Sequence, residues 1–100
     1  MARYQVIGGF VHDNQVDDFI MMKEEVNVTP ITFLDTDSIA MAEKTFKALY
    51  RADEIINDHP KRHPKTKIEG RVRELVAEGL ALVVMRVFDS ENDVRVVVNL

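Results

Sequence analysis

The chain has 100 residues, 46% hydrophobic and 30% charged, with a formal net charge of −4. This length fits one domain over residues 1–100. The absence of cysteine excludes disulfides, thiol nucleophiles and cysteine-ligated metal sites. The N-terminus lacks the apolar stretch of a signal peptide, and no apolar run is long enough to span a membrane. With the absence of cysteine, these features predict a cytoplasmic protein with no membrane contact.

The first segment, residues 4–11, has the β-branched and aromatic composition of a strand. Gly8 and Gly9 interrupt it and indicate a bulge or a close approach of another backbone. Residues 12–15 have turn chemistry.

Residues 16–26 fit either a helix or a strand. Val16, Phe19 and Ile20 have helical spacing, but a continued helix would put Lys23 in the middle of the apolar arc. We therefore prefer a strand over residues 19–24 that pairs back on the first.

The middle of the chain predicts two helices. Residues 28–34 are extended, with Pro30 at a turn or an edge position. The capping sequence 35–38 then starts a helix over residues 37–57, whose apolar stripe includes Phe46 and Leu49. Pro60 ends it, residues 60–67 are irregular, and a shorter helix covers residues 68–78 with Gly79 as its C-terminal cap.

Two strands close the chain, over residues 80–88 and 94–100, with a turn at 89–93. The element order is therefore β-β-α-α-β-β. It predicts an α+β fold, with a small, mostly antiparallel sheet and two helices on one face.

Charge is strongly segregated along the chain. Residues 1–58 carry 5 Lys/Arg against 11 Asp/Glu, whereas residues 59–73 carry 6 Lys/Arg against a single Glu. Such a cluster can meet phosphates or an acidic protein face, and it can equally be a solvated linker. The candidate partner- or phosphate-binding residues are His59, Lys61, Arg62, His63, Lys65, Lys67, Arg71 and Arg73. The acidic stretches at 17–18 and 24–25 could alternatively fold over this segment and neutralise it.

Other chemistry has weak support. His59 and His63 have the i, i+4 spacing of zinc ligands on a helix, but the two prolines beside them argue against a helix, so we expect no metal site. Asp13, Asp17 and Asp18 could act as general acid and base in a small hydrolase or nuclease, although acidic turns are common. No cofactor motif is found, and no aromatic residue is interleaved with the basic cluster to stack on bases.

Residues 80–88 are apolar at alternate positions on both sides, with Leu80, Leu82 and Val84 on one side and Ala81, Val83, Met85 and Val87 on the other. Helices cover only one face of a two-layer domain, so this pattern predicts self-association. The last strand, with Arg95 as its single charge, could also pair with a second copy.

These observations predict a small non-enzymatic interaction protein. It would be a regulator or inhibitor that binds a macromolecular partner, a protein first of all, and it would be a homodimer. The alternatives are a binding module that grips a phosphorylated small molecule or nucleic acid through residues 59–73, and a hydrolase or nuclease.

Overall fold

The computed structural model of the chain describes residues 2–22 and 26–100. The elements follow the order β-α-β-α-α-β-β, with a 3-10 turn at Asp13–Gln15 between the first two. They are β1 (Tyr4–His12), α1 (Val16–Met21), β2 (Thr29–Thr36), α2 (Ile39–Asp58), α3 (Lys67–Ala77), β3 (Leu80–Asp89) and β4 (Val94–Val96). None of these helices combines the length and the apolar character that a bilayer crossing requires.

The four strands form one antiparallel sheet in the order β2-β1-β3-β4. The two long helices contribute to one buried core with the central strands, so both lie on the same face of the sheet. This core contains Tyr4, Val6, Ala42, Leu49, Ile56, Val72 and Val87. The predicted α+β class is confirmed.

The preference for a strand at residues 19–24 is wrong over its described part. Val16–Met21 form a short helix, and Met22 ends it in the left-handed conformation. Two carboxylates, Asp17 and Asp18, lie in its first turn, where the helix dipole favours them. The helix ends at Met21, and residues 23–25 lie outside the described residues. The strand that pairs with β1 at this edge is instead β2, in which Pro30 takes the edge position expected of it.

Both long helices begin at hydroxyl caps, of which the sequence predicted only the one at the start of α2. The Ser38 Oγ accepts a hydrogen bond from the Met41 N–H at 3.2 Å, and the Thr66 Oγ1 accepts one from the Glu69 N–H at 3.1 Å. Gly79, at a φ of 87°, follows α3 where a side chain would strain the backbone. The chain can therefore reverse directly into β3.

The glycine pair of β1 allows close approach on both sides of the sheet. A Cβ on Gly8 would lie 2.9 Å from Cε2 of Phe33, and one on Gly9 would lie 2.7 Å from Cγ1 of Val28. The ladders also contain two bulges, whose extra residues lie on the neighbouring strands: Phe33 on β2, opposite Val6 and Ile7, and Val83 on β3, opposite Gly9 and Phe10.

The bulge on β3 changes which residues face the helices. Val84 pairs with Gly9, but Leu82 pairs with Phe10, so Val83 is an extra residue. Beyond it the alternation is reversed. Met85 and Val87 face the helices together with Leu80 and Leu82, whereas Ala81, Val84, Arg86 and Phe88 face outwards. The sequence prediction that Val84 shares a side with Leu80 and Leu82 is therefore wrong. Side chains of a strand alternate between its two sides, so one inserted residue moves every later side chain to the opposite side.

The final hairpin is shorter than predicted. β4 contains only Val94–Val96, which pair with Asp89, Phe88 and Val87 of β3. Residues 97–100 leave the sheet, and Leu100 reaches the exposed side of α2 beside Lys47 and Arg51.

Candidate functional site

We call residues 59–73 the basic segment. It connects α2 to α3 and includes the first turns of α3. The structure divides its eight candidate residues into two groups. Arg62 and Arg73 are bound to a buried carboxylate inside the molecule. The other six have exposed positions: His59, Lys61, His63, Lys65, Lys67 and Arg71.

The buried carboxylate belongs to Glu69, which lies in the first turn of α3 and is 2% exposed. Its Oε1 accepts from Nη2 of Arg62 at 2.6 Å, and its Oε2 accepts from Nε of Arg73 at 2.8 Å and from Nε of Arg62 at 3.3 Å. The backbone N–H of Lys65 adds a contact of 3.3 Å to Oε1. The side chain of Glu69 therefore joins Arg62 and Lys65, which precede the helix, to α3.

Hydrogen bonds from Arg62 lower the pKa of Glu69 to about 2, and those from Arg73 and the Lys65 N–H act in the same direction. Burial alone would raise that pKa, so the two guanidinium groups keep the carboxylate charged at neutral pH.

Arg73 also joins α3 to the end of α2. Its Nη1 donates to the carbonyl of Pro60 at 2.9 Å, and its Nη2 donates to the carbonyl of His59 at 2.7 Å. These carbonyls lie at the negative end of the α2 dipole, where a cation is favourable. The backbone of the segment is thereby fixed at both ends and in its centre.

Two hollows flank the N-terminal end of α3. One, of about 340 Å³, lies between α2 and α3, and its lining includes Arg51, Ile55 and Lys65. The other, of about 270 Å³, lies between α3 and β2, and its lining includes Phe33, Lys67 and Arg71. Lys67 and Arg71 are one helical turn apart, so they share a side of α3.

We call Arg51, Lys61, Lys65, Lys67 and Arg71 the basic surface. Within residues 2–22 and 26–100, no carboxylate lies in ion-pair distance of any of these five side chains. The intramolecular ion pairs of the basic segment use Glu69 and not Asp17 or Asp18. The stretch at 24–25, the other proposed neutraliser, lies outside the described residues.

The remaining candidates do not assemble into a recognisable centre. His12, Asp13 and Asp17 are exposed where β1 leads into α1. No group of three or more histidine, aspartate or glutamate residues in the described part of the chain could hold a metal ion.

Sequence reasoning missed Glu69, Arg51 and Phe33 as parts of this region. The spacing of Glu69 and Arg73, one helical turn apart, was a visible signal for an ion pair. Nothing in the sequence indicated that α2 and β2 would bring Arg51 and Phe33 to the same end of α3.

No protein-family model, curated protein or solved structure matches the chain.

Proposed function

We propose that this chain is a non-enzymatic interaction protein, a regulator or inhibitor, that binds an acidic face of a protein partner through the basic surface. The observation that carries the proposal is that the cations have two different roles. Arg62 and Arg73 bind Glu69 and fix the backbone of the basic segment. The five cations of the basic surface make no ion pair with the described residues.

Fixing the backbone favours binding because it lowers the entropy lost when a partner is bound. A cation that already has a carboxylate partner would have to exchange it for a new one. The cations of the basic surface have no such exchange to make within the described residues. Their long side chains can therefore meet carboxylates of a partner and accelerate the encounter electrostatically.

A second candidate function is the binding of nucleic acid or another phosphorylated ligand by the same surface. The position of Phe33 favours it, because this ring lines the hollow that contains Lys67 and Arg71. Single-stranded nucleic acids bind to grooves that combine cations with aromatic rings. Phe33 also packs against the core, so only part of its ring is available.

We also propose that the protein acts as a homodimer. Two copies would present two basic surfaces, and linked sites raise the apparent affinity for a partner with repeated acidic features.

The test uses two acidic probes, poly-L-glutamate and a single-stranded oligonucleotide, with binding followed by fluorescence anisotropy. The variant K61S/K65S/K67S removes three cations that make no ion pair with described residues, and the control K44S/K47S removes two exposed cations of α2 outside the basic surface. We expect the first variant to bind poly-L-glutamate about tenfold more weakly at low salt, with the control unchanged. Equal affinity of wild type and triple variant for both probes would overturn the proposal.

Salt separates the two candidates. If nucleic acid is the ligand, four phosphate contacts would weaken binding about fiftyfold between 50 and 200 mM salt, and oligonucleotide binding would exceed polyglutamate binding. A preference for polyglutamate would support the protein partner. A pull-down from the native host with wild type and triple variant would then identify that partner by what the variant fails to retain.

A further inference from the structure

One side of β3 is largely unpaired. β1 pairs with the strand along its whole length, but on the other side β4 reaches only residues 87–89. Residues 97 and 98 line a hollow with Met85 and Arg86, but among the described residues no other backbone hydrogen bond reaches this side of residues 80–86. We call residues 80–86 on this side the open edge.

The open edge lacks the features that usually protect an edge strand. Its first six residues, Leu80–Met85, include no charge and no proline. The opposite edge of the sheet, β2, is protected by Pro30 and by a bulge near Phe33. An uncharged edge with free N–H and C=O groups is a template for pairing with another strand.

Charges of opposite sign flank this apolar run. Glu78 precedes it and Arg86 ends it, both side chains are exposed, and neither makes an ion pair within the described residues. Antiparallel pairing of two identical edges reverses one copy relative to the other. Each Arg86 would then lie near the Glu78 of the other copy, so the pattern is self-complementary.

We infer that the occupant of the open edge is a second copy of this chain, paired antiparallel about Leu82. This inference names the surface of the homodimer proposed above. In this register Leu82 would lie opposite Leu82 of the other copy, and Val83 would be skipped as the extra residue of the bulge. Leu80 would then lie opposite Met85, both on the helix face. Ala81 would lie opposite Val84, both on the outer face. The two sheets would join into one, with all the long helices on the same side.

The experiment measures the dissociation constant of the dimer by light scattering from micromolar to millimolar concentration. R86E and E78R each turn two attractive contacts into two repulsive ones, and we expect each to weaken the dimer about tenfold. The double variant E78R/R86E restores attraction and should restore the wild-type constant. K44E and E54R make the same charge changes on α2 and should have no effect.

Hydrogen exchange on wild-type protein is an independent measurement, and circular dichroism checks that each variant folds. Amides in the open edge should exchange more slowly as the protein concentration rises. A wild-type monomer at every concentration would overturn the inference, and so would a dimer that responds to neither charge reversal. Neither result would alter the binding of poly-L-glutamate by the basic surface, so failure here is distinguishable from failure of that proposal.

Discussion

Arg62 and Lys61 are neighbours with different roles, although the sequence presents them as equivalent members of one basic cluster. Arg62 binds the buried carboxylate of Glu69 through two nitrogens, whereas Lys61 is exposed. A design that replaced both would mix the loss of a binding cation with the loss of an internal contact. The basic surface can therefore be probed only with Arg62 left intact.

The first prediction compares single substitutions at these two positions. Arg62→Ser removes the strongest partner of a carboxylate that has little access to water, so we expect a clear loss of stability. Lys61→Ser should change the free energy of unfolding by no more than about 0.5 kcal/mol. Denaturant melts of both variants measure this difference. Equal midpoints would mean that the contact between Arg62 and Glu69 contributes nothing to the folded state.

At the scale of elements, α2 supplies the largest part of the helix layer. Leu49 on this helix is fully buried. Phe46, which the sequence places on the same apolar stripe, packs against the core but is only partly buried, and it lines a hollow beside Met85 and the C-terminal segment. The apolar stripe of a helix gives the direction of its buried face, but the depth of each residue depends on where the strands beneath it end.

The second prediction follows from this difference in depth. Leu49→Ala should cost about 2–5 kcal/mol, the range for an aliphatic side chain removed from a closed core. Phe46→Ala should cost less than Leu49→Ala, although the ring is larger, because water already reaches part of it. Urea melts measure both. The reverse order would show that the hollow beside Phe46 is closed in solution.

The elements also show what sequence reasoning could and could not supply. Capping residues, prolines and apolar periodicity predicted both long helices and three of the four strands to within a few residues, because these signals are local. α1 was mistaken for a strand because a short apolar run such as residues 19–22 fits either period. The bulge in β3 and the depth of Phe46 depend on contacts between distant segments. For the same reason the basic cluster was visible in the sequence, but its division by Glu69 was not.

At the scale of the whole molecule, two low-exposure carboxylates connect parts of the chain that are distant in sequence or structure. Glu69 joins the basic segment to α3. Asp89, 4% exposed, holds the guanidinium of Arg3 through contacts of 3.0 and 3.1 Å and also accepts from Asn92. Arg3 is thereby fixed to the end of β3. These hydrogen bonds, first of all those from Arg3, lower the pKa of Asp89 to about 2.

The last prediction concerns acid. Both carboxyl groups have a pKa of about 2 in the folded protein, below the ordinary values of 4.5 for Glu69 and 3.8 for Asp89. The unfolded chain therefore takes up protons first as the pH falls. The stabilisation that these groups provide is complete above about pH 5, and it is lost progressively as the pH falls towards 2.

Asp53 acts in the opposite direction. Burial, with a smaller contribution from Glu54, raises its pKa in the folded protein, so its protonation favours folding as the pH falls. We nevertheless expect net destabilisation in acid, because two groups with a strongly lowered pKa oppose one group with a raised pKa.

Urea melts between pH 7 and pH 2 measure the effect. E69Q and D89N should each be less stable than wild type at pH 7, and the deficit should narrow on acidification, because protonation removes the same charge from the wild type. D53N should instead be more stable than wild type at pH 7, because the buried charge is gone, and this advantage should shrink on acidification as Asp53 of the wild type is protonated. A deficit of E69Q that stays constant from pH 7 to pH 2 would mean that Glu69 does not titrate with a lowered pKa, and that its contacts with Arg62 and Arg73 do not depend on its charge.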